Sequence, residues 1–150
     1  MTNPNVDVSM LLPILKKIPL FADLNEQQHK DIIQHIVLMY YPANYTIFKE
    51  GDAGDALYIL KTGQVNVIKE PKEAGDLPQN IAEINTGGFF GEMALVSDVP
   101  RNATVKATID SEVFILNKDD FSKLLAENTV LAQQISATVV SRLNQNNKNQ

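Results

Sequence analysis

A glycine-rich segment followed by an arginine has the residue types and the spacing of an anion-binding site. Gly87, Gly88 and Gly91 fall within five residues and open a short helix-like run. Glycines allow backbone N–H groups to converge on one anion, because no Cβ stands in the way. Arg101 follows them, one of two arginines in a chain that has eleven lysines. Its rigid planar fork matches two phosphate oxygens, which the point charge of a lysine does not.

Glu92 lies next to Gly91, where a carboxylate alone would repel a phosphate. A carboxylate is suitable there if the ligand also carries a hydroxyl, because it accepts a short, charge-assisted hydrogen bond from that group. Glycine amides, a carboxylate and a guanidinium are together typical of a site for a sugar phosphate with a free hydroxyl. The alternative interpretation is a structural salt bridge between Glu92 and Arg101 beside a glycine turn.

Three separated motifs resemble those of cyclic nucleotide-binding domains. This family includes the regulatory subunits of cyclic-AMP-dependent kinases, cyclic-nucleotide-gated channels and bacterial cyclic AMP receptor regulators. The motif FGEMAL…PRNATV is similar to the phosphate-binding cassette, GDAGDALYIL…GQVNV to a turn and hairpin, and IPLFADL to a lead-in helical segment. They occur at residues 90–105, 51–67 and 18–24, and the resemblance covers residues 10–143.

The resemblance implies a role for each residue of the cassette. Arg101 would pair with the exocyclic oxygens of a cyclic phosphate, and Glu92 would accept the ribose 2′-OH. The other expected ligand-binding residues lend backbone amides or line the pocket: Gly91, Met93, Ala94, Asn102 and Ala103. Leu95 and the strand at 81–84 are expected to complete the site, and a residue of the last helix, which no motif specifies, would cap the base.

Asn102 is a departure from the family pattern. Members often carry Ala, Ser or Thr after the cassette arginine, and Thr there is associated with a bond to guanine. The amide of Asn102 both donates and accepts hydrogen bonds. The amide therefore does not decide between adenine and guanine. The resemblance implies cAMP, the commoner ligand of the family, with cGMP as the alternative, and the phosphate site is unaffected.

The hydrophobic pattern predicts a mainly β fold with flanking helices, an antiparallel β-roll (jelly roll) between an N-terminal helical segment and C-terminal helices. The predicted helices cover residues 9–18, with Pro13 in the first turn, and 26–37, preceded by a predicted capping box of Asn25 and Gln28. Helical periodicity returns from residue 118. The predicted strands are 38–41, 45–49, 56–60, 64–69, 81–84, 103–107 and 112–117. We predict a flexible N-terminus at 1–9, one cyclic nucleotide-binding domain at 10–143 and a frayed polar tail at 144–150.

The charge balance excludes polymeric nucleic acid as a partner. Eighteen acidic residues exceed thirteen basic ones, and the formal charge is −5. Binding to DNA, RNA or an anionic membrane surface needs clustered positive charge. The absence of cysteine excludes disulfides and thiolate metal sites. No signal peptide and no transmembrane segment is evident, so the expected location is the cytoplasm.

Polar residues outside the cassette receive a structural interpretation. Gly51, Gly54 and Gly63 are predicted to be turn glycines. Asp52 and Asp55 are predicted to cap turns, because no further acidic residues follow at the spacing of a calcium loop. An enzyme with a metal site on its β-roll is disfavoured, since both histidines are predicted on the N-terminal helix, six residues apart: His29 and His35. We therefore expect no catalytic residues and no metal site.

The predicted function is that of a non-catalytic cyclic nucleotide sensor whose C-terminal helix moves over the base when the ligand binds. The alternative is a degenerate member of the family that acts as a protein interaction module without a nucleotide. Seven polar residues follow Leu143, so the response is expected to pass to a separate effector protein. An apolar stripe on the last helix is predicted to pack on the β-roll or, alternatively, to pair two chains: Leu131, Ile135, Val139 and Leu143.

Overall fold

The structure, a computed structural model, describes the backbone of residues 7–148 and the side chains as far as residue 141. Two helices precede eight strands and two helices follow them, which confirms the predicted architecture. The helices are α1 (Val8–Leu15), α2 (Glu26–Ile33), α3 (Lys118–Glu127) and α4 (Thr129–Lys148). The strands are β1 (Val37–Tyr41), β2 (Thr46–Phe48), β3 (Ala56–Thr62), β4 (Gln64–Lys69), β5 (Gln79–Asn85), β6 (Phe89–Phe90), β7 (Thr104–Ala107) and β8 (Ser111–Asn117).

The strands form two antiparallel four-stranded sheets. Their orders are β1-β8-β3-β6 and β2-β7-β4-β5. The residues of β8 show what covers each face of the first sheet, since successive side chains of a strand point to opposite faces. Val113 and Ile115 belong to the core between the two sheets, whereas Phe114 and Leu116 belong to the core under the helices. The central strands of the first sheet, β8 and β3, are therefore buried on both faces, whereas the edge strand β1 is largely exposed.

All four helices contribute to the core under the helices. Phe21, in the segment that follows α1, lies 5.7 Å from Phe121 of α3 between ring centroids. Leu131 and Ile135 of α4 are buried in the same cluster. These two residues of the predicted stripe thus pack on the domain, and Val139 packs partly against it. The side chain of Leu143 lies outside the described residues.

Local sequence signals decide where most of these elements begin. The predicted capping box of α2 is confirmed, because Asn25 Oδ1 accepts from Gln28 N at 2.8 Å and Gln28 Oε1 accepts from Asn25 N at 2.9 Å. Gly63 has φ +115° in the tight turn between β3 and β4, as predicted. Asp119 and Asp120 occupy the first turn of α3.

Two local predictions are wrong, and one short strand was missed. Pro13 lies well inside α1, because the helix already begins at Val8 under an Asp7 cap. The second helix ends at Ile33, so His35 lies beyond it. β6 was not predicted, since a strand of two residues, Phe89 and Phe90, has no measurable periodicity.

The ends of the chain are described in part. Residues 1–6 of the predicted flexible N-terminus lie outside the described residues, and α1 begins at Val8. α4 continues through Lys148, so residues 144–148 of the predicted polar tail are helical, and residues 149–150 are not described. No helix within the described range is long and apolar enough to cross a membrane.

Candidate functional site

The predicted cassette forms one wall of a cleft of about 270 Å³. Six of the seven predicted site residues line it, and Ala103 does not, since it is buried just before β7. Three residues that the sequence did not single out complete the lining. The full set is Gly91, Glu92, Met93, Ala94, Ser97, Val99, Pro100, Arg101 and Asn102.

Gly91 begins the short 3-10 helix Glu92–Leu95, which is the helix-like run expected after the glycines. Its φ is +80°, a left-handed conformation that only glycine adopts without strain. A Cβ at this position would also lie 2.6 Å from Arg101 Nη1 and 3.0 Å from the Ala56 carbonyl oxygen. The backbone angle and the approach of the guanidinium therefore both require glycine.

The Arg101 guanidinium is held in a fixed position beside the cleft. Its side chain is 6% exposed. Nη2 donates to the carbonyl of Ala56 at 2.9 Å, and Nη1 donates to the carbonyl of Gly91 at 3.5 Å. Nη2 also lies 3.7 Å from Asp55 Oδ1. Asp55 is thus a carboxylate partner of Arg101 in this structure.

Aromatic rings form the floor under this guanidinium. Arg101 Cζ lies 4.2 Å from the ring centroid of Phe48 and 5.6 Å from that of Tyr58. Tyr58 in turn stacks on Phe90 at 5.1 Å. A cation over an aromatic face is attracted by the ring quadrupole, and the attraction is stronger where water is excluded. Burial, and then the Asp55 carboxylate, raise the pKa of the Tyr58 phenol, so this ring stays neutral at physiological pH.

The backbone of Arg101 is fixed by the turn between β2 and β3. Arg101 N donates to the carbonyl of Asp52 at 2.8 Å, and the Arg101 carbonyl accepts from Gly51 N at 2.8 Å. A Cβ on Gly54 would lie 2.9 Å from the Cβ of Ala94, so this turn packs directly against the cassette. The predicted turn glycines therefore also position the site.

The two aspartates of this turn have different roles. Asp52 Oδ2 accepts from Lys49 N at 2.9 Å, which confirms its predicted role as a turn cap. The Asp55 carboxylate points to Arg101 and is 77% exposed. Sequence reasoning missed this role, because an aspartate in a turn has no local signal for a partner 46 positions away.

The apolar part of the site differs from the expectation. Met93 and Val99 line the cleft and are 36% and 68% exposed. Leu95 is buried in the core under the helices, and Ile81 on β5 is 53% exposed; neither lines the cleft. The apolar rim of the cleft therefore comes from the cassette itself.

Two lysines outside the cassette bond to its backbone. Lys118 Nζ donates to the carbonyl of Ser97 at 3.1 Å and to the carboxylate of Asp98. The hydrogen bond from Lys118, followed by its charge, lowers the pKa of Asp98 below the ordinary range of an aspartate. Lys69 Nζ donates to the carbonyl of Asn102. Lys118 thus holds the cassette at Ser97 and Asp98, and Lys69 holds it at Asn102.

The histidines are remote from the cleft. His29 is buried, and its Nε2 lies 2.8 Å from the carbonyl oxygen of Phe21 in the helical core. Among residues 7–141, no group of three or more metal-ligating side chains could hold an ion.

A model of the cyclic nucleotide-binding domain matches residues 38–128 of the chain. The chain is 36% identical over 111 residues to a cAMP-dependent protein kinase regulatory subunit of Aspergillus fumigatus; the match covers 74% of this chain and 26% of that protein. The chain thus spans about a quarter of the length of the curated relatives it matches.

Two solved structures show the same architecture. The N-terminal domain of a Streptomyces coelicolor A3(2) transcriptional regulator superposes with a TM-score of 0.79 at 26% identity, covering 90% of this chain and 93% of that one. The regulatory domain of Toxoplasma gondii PKA, crystallised with cAMP, gives 0.71 at 28% identity, covering 81% and 46%. Together with the match over residues 38–128, these similarities show that the chain belongs to the cyclic nucleotide-binding domain family.

Proposed function

We propose that this chain binds a cyclic purine mononucleotide, cAMP, in the cleft of the cassette and functions as a non-catalytic sensor. The observation that carries the proposal is the Arg101 guanidinium, buried and held by Ala56, Gly91 and the Phe48 ring at the wall of the cleft. A family relative of known structure was crystallised with cAMP, which supports the same ligand here.

Arg101 supplies the charge that recognises the phosphate. A guanidinium has five N–H donors, and the protein uses only part of them. The buried Nε–H donates to no partner among the described residues, and the carboxylate paired with Nη2, that of Asp55, is 77% exposed. A cyclic phosphate can therefore share the fork with Asp55, or replace it, without rebuilding the wall behind it. Bonds from a charged donor to an anionic oxygen are about twice as strong as neutral ones.

Glu92 supplies the contact to the sugar. It lies in the first turn of the 3-10 helix and lines the same cleft as Arg101. In the proposed complex it accepts the 2′-OH of the ribose, which distinguishes a ribonucleotide from a deoxyribonucleotide. Asn102 is exposed and lines the same cleft. It is the residue that we expect to influence the choice of base.

The base would lie against Met93 and Val99, the apolar and exposed residues of the rim. We infer that α4 moves to cover it. In this structure α4 is anchored to the domain by Leu131 and Ile135, and Gln28 Nε2 donates to Gln134 Oε1 between α2 and α4. Binding would shift the equilibrium between two positions of this helix, since a ligand favours the state that it contacts more.

The moving helix would carry the signal to a separate effector protein, and the role would be regulatory rather than catalytic. The relative from Aspergillus fumigatus is named as a kinase regulatory subunit, which supports this kind of role. A homodimer through α4 stays a prediction. Because Leu131 and Ile135 face the domain, a dimer contact would have to use other residues of α4.

Isothermal titration calorimetry of the chain with cAMP, cGMP and 5′-AMP tests the proposal. We expect cAMP to bind with a free energy of about −8 kcal/mol or more favourable, a micromolar Kd. 5′-AMP should bind more weakly, because its phosphate is not tied to the 3′ oxygen of the ribose and so is not held in one position relative to the 2′-OH. No heat and no thermal shift with any cyclic nucleotide at millimolar concentration would reject the sensor and favour the interaction module.

A further inference from the structure

We propose that Lys118 is a positioning residue of the phosphate site. Its ammonium fixes the outer part of the cassette, residues 96–100, in the conformation that lines the cleft, so that less order has to be gained when the nucleotide binds. This inference rests on the proposed function, since the loop matters only if the cleft binds a ligand.

The loop at 96–100 forms part of the cleft and has little structure of its own. Ser97, Val99 and Pro100 line the cleft, and the segment is neither helix nor strand. Its short-range bonds are Val96 N to the Met93 carbonyl at 3.2 Å and Val99 N to Ser97 Oγ at 3.2 Å. Fixing one residue costs about 1–2 kcal/mol of conformational entropy, so a loop of this kind needs external support to remain in one conformation.

Lys118 provides the long-range hydrogen bonds of this loop among the described residues. Its Nζ donates to the Ser97 carbonyl at 3.1 Å and to the Asp98 carboxylate. The Lys118 side chain is 26% exposed, whereas Asp98 is 99% exposed. The two bonds are therefore unequal: an exposed ion pair contributes little, but a bond to a carbonyl fixes the backbone itself.

The backbone of Lys118 is fixed beside the residues that hold Arg101. Lys118 N donates to the Asp55 carbonyl at 2.8 Å, and the preceding residue, Asn117, pairs with Ala56 in the sheet. Ala56 and Asp55 are the residues that bond to and pair with the Arg101 guanidinium. Lys118 thus connects the strand that holds the arginine to the loop that lines the cleft beside it.

Pre-ordering of a binding loop raises affinity mainly by lowering the entropic cost of association. Loss of the clamp should therefore leave the fold intact and make the bound nucleotide dissociate faster. The change in dissociation rate should match the loss of one charge-assisted hydrogen bond rather than the loss of an exposed ion pair. The reason is that the bond from Lys118 to the Ser97 carbonyl, not the pair with Asp98, orders the loop.

The test compares Lys118→Met with Lys123→Met in the intact chain. Lys123 lies on the same helix, is exposed and has no acidic partner within 4.0 Å among the described residues, so both variants remove one positive charge from α3. The dissociation rate of a fluorescent cAMP analogue is measured by displacement with excess cAMP. We expect about a fivefold faster dissociation for Lys118→Met. This change lies between the effect of losing an exposed ion pair and that of losing a buried charge-assisted hydrogen bond.

Three further measurements separate positioning from a general structural role. Lys123→Met should match the wild type, and Lys118→Arg, which keeps a charged donor, should restore most of the slow dissociation. Asp98→Asn, which keeps the carbonyl bond, should have a smaller effect than Lys118→Met. Hydrogen exchange should accelerate at the amides of 96–100 in Lys118→Met and stay unchanged in β8.

The outcomes distinguish the inference from the function on which it rests. Wild-type binding together with a wild-type dissociation rate in Lys118→Met overturns the positioning role and leaves the sensor intact. Absence of nucleotide binding by the wild type overturns the proposed function. If Lys118→Met is less stable and its exchange accelerates in β8 as much as in the loop, Lys118 is a stabilising residue of the domain and the positioning role is rejected.

Discussion

Arg101 and Asp55 form an asymmetric ion pair, 3.7 Å apart, in which the cation is 6% exposed and the carboxylate 77% exposed. A buried cation normally needs a partner that is also buried, because desolvation of a lone charge is expensive. Here Ala56, Gly91 and the Phe48 ring stabilise the guanidinium instead. Asp55 thus faces the water from which an anionic ligand would arrive, and it competes with that ligand for the fork.

Asp55→Asn is expected to strengthen cAMP binding about twofold at low salt, since it removes an exposed, partly screened negative charge beside the phosphate position. Isothermal titration calorimetry at two salt concentrations measures this gain, which should shrink as salt is raised. Asp76→Asn, an exposed charge change in the loop before β5, serves as the control. Weaker binding by Asp55→Asn would show that this carboxylate orients the fork rather than competes for it.

Gly91→Ala is expected to weaken cAMP binding by at least about tenfold, because the added Cβ displaces the guanidinium from its position. Gly75→Ala is the matched control, since Gly75 has φ +92° but no atom within 4 Å of an added Cβ. Both variants incur a left-handed backbone strain of about 1–2 kcal/mol. Gly91→Ala should lose more thermal stability than Gly75→Ala, because the clash with Arg101 and the Ala56 carbonyl is added to that strain. Equal cAMP affinities of the two variants would contradict the assigned close approach.

Lys118→Met is expected to raise the pKa of Asp98, because the hydrogen bond and charge of Lys118 hold it low in the folded protein. A depressed folded pKa contributes stability that is present above the unfolded pKa and is lost as the pH falls through the folded pKa. Acid unfolding of the variant should therefore depend less on pH in that window. Carboxyl NMR titration measures the shift, with Lys123→Met as control; an unchanged Asp98 pKa in Lys118→Met would refute the clamp geometry.

Gln134→Ala is expected to bind cAMP about two- to threefold more tightly, if α4 leaves its present position in the bound form. The variant removes the acceptor for Gln28 and so weakens the position of α4 seen here. Gln133→Ala, one residue earlier and exposed, is the control. Equal affinity of wild type and Gln134→Ala, measured by calorimetry, would indicate that α4 stays where it is.

Signals local in sequence predicted most of the fold. The Asn25 and Gln28 capping box, the turn at Gly63 and the alternation of the longer strands each depend on neighbouring residues. The prediction extended α2 too far, because buried Ile36 continues the helical spacing although it lies in a turn before β1.

The candidate site was predictable as a motif but not as a geometry. The residues of the cassette could be named because glycines and an arginine at this spacing resemble a known family. The residues that hold the Arg101 guanidinium could not be named from the sequence. Phe48, Asp55 and Ala56 lie 45 or more positions away from it and have no distinctive type or spacing. Lys118 was missed for the same reason: its contact to Ser97 exists only after β8 has paired with β3.

Calorimetric titration of wild type and Arg101→Lys with cAMP tests the central claim most directly. The account predicts micromolar or tighter binding by the wild type, and an affinity at least about thirtyfold lower for Arg101→Lys, since loss of the planar fork costs about 2 kcal/mol. Lys106→Met on β7 should bind as the wild type does. Equal affinity of wild type and Arg101→Lys would contradict the assigned phosphate contact, and no binding by the wild type would contradict the account as a whole.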